Sequence, residues 1–298
     1  MSVSEIEKPF DATPVPDGSH PPKARDYPGR FREIVSDPLN LLIERVPLAG
    51  SVEGDLVWLH NGNRAPASGP AAYYGDFSQI LIINRGVHEP LEEYLFQELV
   101  RQLPANPVMV ELGAYWGHYS MWLKRVHPGA RVFMVEPNAK CLRAGRANFA
   151  LNGFDGEFIE GFVGLGQFEI DTFLAERGIE HLDVLHCDIQ GFEGEMLQGA
   201  AEHLRRKAVD YLFISTHGQK LHNKVKAQLE ALGYRVEVSS DFDETTSFDG
   251  LLFASSPDKA PVFADFVPMG RGQICASRPA AMVKYLARIL KLKAARGG

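Results

Sequence analysis

Four residues able to do acid–base or hydrogen-bonding chemistry stand at the ends of apolar runs. Glu111 closes "PVMVEL", Glu136 closes "RVFMVE", Asp188 follows "LDVLHC" and His217 follows "DYLFIST". Carboxylates accept hydrogen bonds from hydroxyl and ammonium groups, and an imidazole takes up a proton near neutral pH. Just beyond Glu111, in "MVELGAYWGHYS", come Gly113 and Gly117. Glycine there lets the backbone adopt unusual dihedral angles and approach a ligand closely, or simply lets a strand and a helix pack tightly.

The glycine spacing is G-x-x-x-G, with Ala114 at the position where the dinucleotide fingerprint G-x-G-x-x-G needs its middle glycine. A carboxylate at the strand tip repels a diphosphate and suits a cationic ligand. S-adenosylmethionine carries both a sulfonium and an α-ammonium group. Glu136 is placed to accept the two hydroxyls of a ribose. The following Pro137-Asn138 offers a second reading, a helix cap made by Asn138. Gly161 and Phe162 close a third apolar run, where an adenine ring fits against the phenyl face; Phe162 as ordinary core is an equal alternative. Asp188 and His217 are expected to face the same cleft, with His217 the first candidate for a general base and Asp188 the second. A divalent metal held by Asp188 with Glu193 or His217 ranks below that reading.

These residues need a scaffold that brings strand ends to one edge. From Pro107 onward, short apolar runs alternate with segments of helical spacing, which predicts an α/β fold with a parallel, doubly covered sheet. "YRVEVS" and "GLLFAS" have no helix between them, so the last strand is expected to turn back antiparallel. Ahead of this domain, in "EPLEEYLFQELVRQL", Leu91, Tyr94, Leu95, Leu99 and Leu103 predict a helix. "DLVWLHNG" and "FSQILIINRG" read as the strands of a small hairpin. The division expected is a Pro-rich flexible arm over 1–35, hairpin and leading helix over 36–106, the main domain over 107–256 and a basic tail over 257–298.

"VELGAYWGHYS", "VEPN", "DVLHCDIQGFEGEMLQGA" and "FISTHG" together resemble the FkbM-type S-adenosylmethionine-dependent methyltransferases, over roughly residues 85–255. The D-x-x-G-x-E run is the most specific part. The resemblance implies a class I methyltransferase, Rossmann-like fold of seven strands with the last antiparallel. It also implies methyl transfer to a hydroxyl of a sugar or small natural product. Cofactor contacts would then come from Glu111, Gly113, Tyr115, Gly117, Tyr119, Ser120, Glu136, Pro137, Asn138, Gly161, Phe162, Asp188, Ile189 and Gln190. His186 stands where the family carries lysine. A non-catalytic nucleoside-binding scaffold and a nicotinamide-dependent oxidoreductase are the rival readings.

Composition bounds the partners. The 298 residues carry 31 Lys plus Arg against 38 Asp plus Glu, a net charge of −7, which disfavours nucleic acid as a general partner. Three cysteines, Cys141, Cys187 and Cys275, show no metal spacing. No signal peptide or membrane-spanning run is apparent, so a soluble cytoplasmic protein is expected. The tail carries a basic amphipathic helix in "AMVKYLARILKLKAARGG". Three homes suit it: its own acidic domain, a second copy of the chain, or an anionic lipid surface.

Overall fold

The computed structural model describes residues 27–69, 71–73, 75–242, 250–270, 273–274 and 277–296. Its centre is a seven-stranded sheet of β4 (Val108–Leu112), β5 (Arg131–Glu136), β6 (Glu157–Glu160), β7 (Leu182–Cys187), β8 (Val209–Thr216), β9 (Arg235–Ser240) and β10 (Gly250–Ser255). The spatial order is β6-β5-β4-β7-β8-β10-β9. β4 to β8 pair in parallel, while β10 runs antiparallel to both β8 and β9. The order reverses between β4 and β7, so the cleft of an open α/β sheet lies at their carboxyl ends.

β7 and β8 are buried at every position, as the unbroken apolar runs predict for strands covered on both faces. Alternation sorts their side chains into two cores. Met109, Val184, Phe213 and Phe253 face one layer, and Val110, Leu185, Ile214 and Leu252 face the other. The second layer is closed by α6 (Ile170–Glu176), α7 (Glu193–Gly199), α8 (Ala201–Arg205) and α9 (Gln219–Ala231). The first is closed by α3 (Pro90–Val100), α4 (His118–Val126) and α5 (Ala139–Asn152), together with the N- and C-terminal segments.

Three expectations are corrected here. "FSQILIINRG" is not a strand. It forms a 3-10 turn and a short helix, α2 (Gln79–Ile83), because Phe77, Ile80 and Leu81 are buried together at helical spacing. The strands before it, β1 (Val52–Glu53), β2 (Leu56–Trp58) and β3 (Arg64–Pro66), make a three-stranded antiparallel sheet among themselves. The arm does not stay extended to residue 35. Helix α1 (Tyr27–Ser36) buries Ile34, while residues 1–26 lie outside the described residues.

The tail is not an appendage either. Val262, Phe263 and Phe266 enter the same core as Tyr94 and Phe253. The last helix, α10 (Pro279–Arg296), buries Ile289 there and sets Lys293 Nζ 2.8 Å from Glu98 Oε1. Of the three homes considered for this helix, its own domain is the one it occupies. No helix among the described residues is long and apolar enough to cross a membrane.

Candidate active site

The glycine loop is wound by three left-handed residues at alternate positions, Gly113 at φ 71°, Tyr115 at 42° and Gly117 at 75°. Gly113 is required by the scaffold itself, since a Cβ there would lie 1.8 Å from the carbonyl oxygen of Asp188. At Gly117 a Cβ would press on the Phe149 ring at 2.9 Å. Close packing of strand ends therefore accounts for both glycines without a ligand.

Glu111 is buried, and its Oε2 accepts from the backbone N–H of Ser120 at 3.0 Å. Ser120 lies in the first turn of α4, whose N-cap residue is Gly117 and has no side chain to offer. The strand-end carboxylate thus caps a helix from below, where the helix dipole favours negative charge. Burial still pushes its pKa up. Ser120 is fully buried, and Tyr119 is buried with its hydroxyl donating to Glu89 Oε2 at 2.9 Å. Glu111, Tyr119 and Ser120 are accordingly engaged with the protein rather than facing an open cofactor cleft.

Glu136 braces two loops. Its Oε2 accepts from Tyr115 N at 3.1 Å and its Oε1 from Asn138 N at 2.8 Å. Each oxygen keeps a lone pair. Burial raises its pKa, and Asp188 lies close enough to raise it further. Asn138 caps α5, its side chain accepting from Lys140 N at 2.9 Å, so the cap role falls to Asn138 and not to Glu136. Pro137 is exposed beside it. Gly161 follows β6, and the ring of Phe162 is 43% exposed rather than core, set edge-on to Phe192 at 4.6 Å.

At the ends of β7 and β8, His217 stands between two carboxylates. Its Nε2 is 3.1 Å from Asp188 Oδ1 and its Nδ1 is 2.7 Å from Glu193 Oε1. Despite burial, the hydrogen bonds and charges of Asp188 and Glu193 carry its pKa up to about 10. An imidazole held protonated has no lone pair with which to take a proton at neutral pH. A raised pKa argues against His217 as the base, and the imidazole in turn pulls the pKa of Asp188 down against its burial. The set expected to hold a metal, Asp188 with Glu193 or His217, is joined here by hydrogen-bond contacts through the imidazole. Gln190, at φ 58°, places its amide 2.8 Å from His217 Nε2, and Ile189 is half-buried beside it.

Beside Asp188 opens a pocket of about 720 Å³, part of it open to solvent. Its walls come from the ends of β7, β8, β9 and β10, from α1, from the start of α3 and from Met269, Gly270 and Ile274 of the C-terminal segment. Glu33, Asp37, Glu89, Glu92 and Asp188 line it, with Arg30 as the one guanidinium among the described residues. Burial raises the pKa of Glu89 to about 7, with Glu92 and Asp188 adding to the rise and His88 opposing it. Glu92 is held by His186 Nε2 at 2.6 Å and by the Ser215 hydroxyl at 3.1 Å.

Sequence reasoning brought Asp188, His217 and Glu136 to one sheet edge, noted His186 in the position of the family's lysine, and missed Glu89 and Glu92. The signal was present in "GVHEPLEEYLF", where one acidic residue precedes Pro90 and two follow it at the start of an otherwise apolar helix. Beneath the pocket, buried His60, His88 and His118 converge on buried Glu93, and none of these four was singled out from the sequence.

A seven-stranded sheet in this order with one antiparallel strand defines a class I methyltransferase fold, and its carboxylate-lined pocket opens beside Asp188 at the end of β7. Within it, residues 165–236 match the family model of the methyltransferase FkbM domain. Over 53 residues the chain is 38% identical to methyltransferase sdnD of Sordaria araneosa, a match covering 18% of this chain and 20% of that protein. The chain thus spans about a fifth of the length of the curated relative it matches. Among solved structures it is similar to precorrin-6y C5,15-methyltransferase of Geobacter metallireducens, with a TM-score of 0.41, 17% identity and coverage of 54% of this chain and 84% of that one. TrmK of M. capricolum, in complex with S-adenosyl-homocysteine, gives a TM-score of 0.39 at 12% identity over 66% of this chain and 82% of that one.

Proposed function

We propose that this protein transfers a methyl group from S-adenosylmethionine to a hydroxyl of a sugar or small natural product. The observation that carries the reading is the position of Asp188. It lines the pocket and lies within electrostatic reach of Glu136 on the cofactor side and Glu89 on the acceptor side. Glu136 suits a ribose, because both oxygens are aimed by backbone donors and retain acceptor capacity. Phe162 offers an exposed ring face for the adenine. The cofactor supplies an electrophilic methyl on a sulfonium centre.

The protein's own work is to hold the acceptor in line and remove its proton. Glu89 is the base we assign. Its pKa of about 7 matches the working pH, and it sits in the pocket wall a quarter exposed. Asp188, kept ionised by His217, orients the acceptor hydroxyl. An acidic lining favours neutral or cationic acceptors over polyanions such as nucleic acid.

The test is methyl transfer from deuterated S-adenosylmethionine to a panel of sugars and hydroxylated natural products, read by mass spectrometry alongside calorimetry of cofactor binding. A deuterated methyl ether supports the reading. Tight binding of S-adenosylhomocysteine without transfer to any acceptor favours a binding scaffold, and no binding of either overturns both.

A further inference from the structure

We infer that His60, His118 and Glu93 form a buried binding site for a divalent transition-metal ion, with zinc as the first choice, while His88 holds the Glu93 carboxylate. The four residues come from separate places in the chain: just after β2, the turn before α3, the first turn of α3, and the first residue of α4. All four are buried, none exposing more than 2% of its surface. Around Glu93 Oε1 stand His88 Nδ1 at 2.7 Å, His118 Nε2 at 3.2 Å and His60 Nε2 at 3.7 Å. Ligands held about 2.0–2.2 Å from a tetrahedral ion lie roughly 3.3 Å from one another, a value these distances bracket.

The hydrogen-bond ledger points the same way. Both nitrogens of His60, both of His118, Nδ1 of His88 and Oε2 of Glu93 are buried without a hydrogen-bond partner. Buried polar atoms are nearly always satisfied, so this concentration at one point calls for a missing partner. A single shared proton would satisfy one of the converging nitrogens. A cation between His60, His118 and Glu93 would satisfy the facing nitrogens of both histidines and offset the carboxylate, while His88 Nδ1 faces Glu93 Oε1 at 2.7 Å. Imidazole and carboxylate suit zinc and other late divalent metals and do not suit calcium or magnesium.

The surrounding shell is aromatic. Trp122 stands edge-on to His60 at 4.4 Å, Tyr73 edge-on to His88 at 4.7 Å, and Trp116 stacks on His118 at 5.0 Å. Three protein ligands leave one position of a tetrahedral ion to water, and His88 supplies the outer contact that orients Glu93. Here the ion would pin the small N-terminal sheet and α3 to the helix that follows the glycine loop. A second convergence, His181 with Asp183 and Asp210, is weaker. His181 is exposed, and Lys259 Nζ already lies 2.7 Å from Asp210.

The experiment uses the full chain with no affinity tag. Elemental analysis after purification and after incubation with zinc should give about one equivalent per chain. Cobalt(II) should enter the same site, give visible absorption of tetrahedral intensity, and be displaced by zinc. X-ray absorption of the zinc-loaded protein should fit two imidazoles with oxygen ligands, and no sulfur. His118→Ala and Glu93→Gln should lose the ion, and His181→Ala should keep it. Removing the ion should lower the thermal midpoint by roughly 5–10 °C. The proposal is overturned if the wild-type chain takes up neither metal. It is equally overturned if the absorption spectrum fits fewer than two imidazoles, or if uptake survives His118→Ala and Glu93→Gln but not His181→Ala.

Discussion

His186 Nε2 lies 2.6 Å from Glu92 Oε1, and this buried ion pair joins the central strand β7 to the first turn of α3. Both partners are enclosed, so their attraction must offset the loss of hydration of both. Against the desolvation of burial, Glu92 carries the His186 pKa up to about 9, with Glu111 and Asp188 assisting. The pocket wall is therefore fastened to the sheet by a contact that titrates.

Stability should follow that titration. The folded-state pKa of about 9 exceeds the unfolded value of 6.5, so the pair's contribution is complete below about pH 6.5 and lost as pH rises through about 9. His186→Gln should destabilise the protein by about 3 kcal/mol at pH 6. The deficit should shrink above pH 9. Urea denaturation at a series of pH values measures it, and a deficit independent of pH would show that the imidazole charge plays no part.

The bracing role of Glu136 gives a prediction that separates cofactor binding from loop support. Glu136→Ala should weaken S-adenosylmethionine binding by about 1.5–3 kcal/mol, the loss of a charge-assisted hydrogen bond. Because Tyr115 N donates to one oxygen and Asn138 N to the other, Glu136→Gln should keep one of these two backbone bonds while losing charge. Calorimetry on both variants decides the matter. Equal, unchanged affinities would leave Glu136 with the loops alone.

The sheet was legible because its strands are short apolar runs separated by helical periodicity, and every strand read in this way from Val108 to Ser255 is present. "FSQILIINRG" misled because its isoleucines have high β propensity while the buried set falls on one helical face. Strand ends likewise announced Glu136, Asp188 and His217, but not their charge states. Those depend on neighbours distant in sequence: Glu193 lies 24 residues before His217, and Glu92 lies 94 before His186. Glu111 shows the same limit, since only the fold reveals that it serves the backbone of α4.

Glu89 should set the pH dependence of catalysis. A general base works in its deprotonated form, so turnover should rise as pH passes through about 7, the pKa of this carboxyl. Glu89→Gln should lower turnover by roughly 10²–10⁴-fold and abolish that limb of the profile. His217→Asn should act differently. With the cation gone, the Asp188 pKa should move up, shifting the acidic limb to higher pH without removing it. Steady-state rates on an accepted acceptor from pH 5 to 9 distinguish the two, and a wild-type profile flat through pH 7 would count against Glu89.

The C-terminal segment supplies the last test, because its helix joins the core through few residues. Ile289 is buried, whereas Val283 and Leu290 on the same helix are 63% and 52% exposed. Ile289→Ala should destabilise the protein by about 2–5 kcal/mol through lost burial and the cavity left behind. Val283→Ser should change stability by less than about 0.5 kcal/mol. Truncation after Ser256 removes Val262, Phe263 and the pocket wall at Met269 along with the helix, and exposes Tyr94 and Phe253. That chain should fail to give a cooperative thermal transition. Removing only the helix, from Pro279 onward, should leave a folded protein with a lowered thermal midpoint, since the core residues before it remain. If the chain cut after Ser256 instead unfolds cooperatively at the wild-type temperature, the segment is an appendage and the packing of Phe263 against Tyr94 and Phe253 contributes nothing to stability.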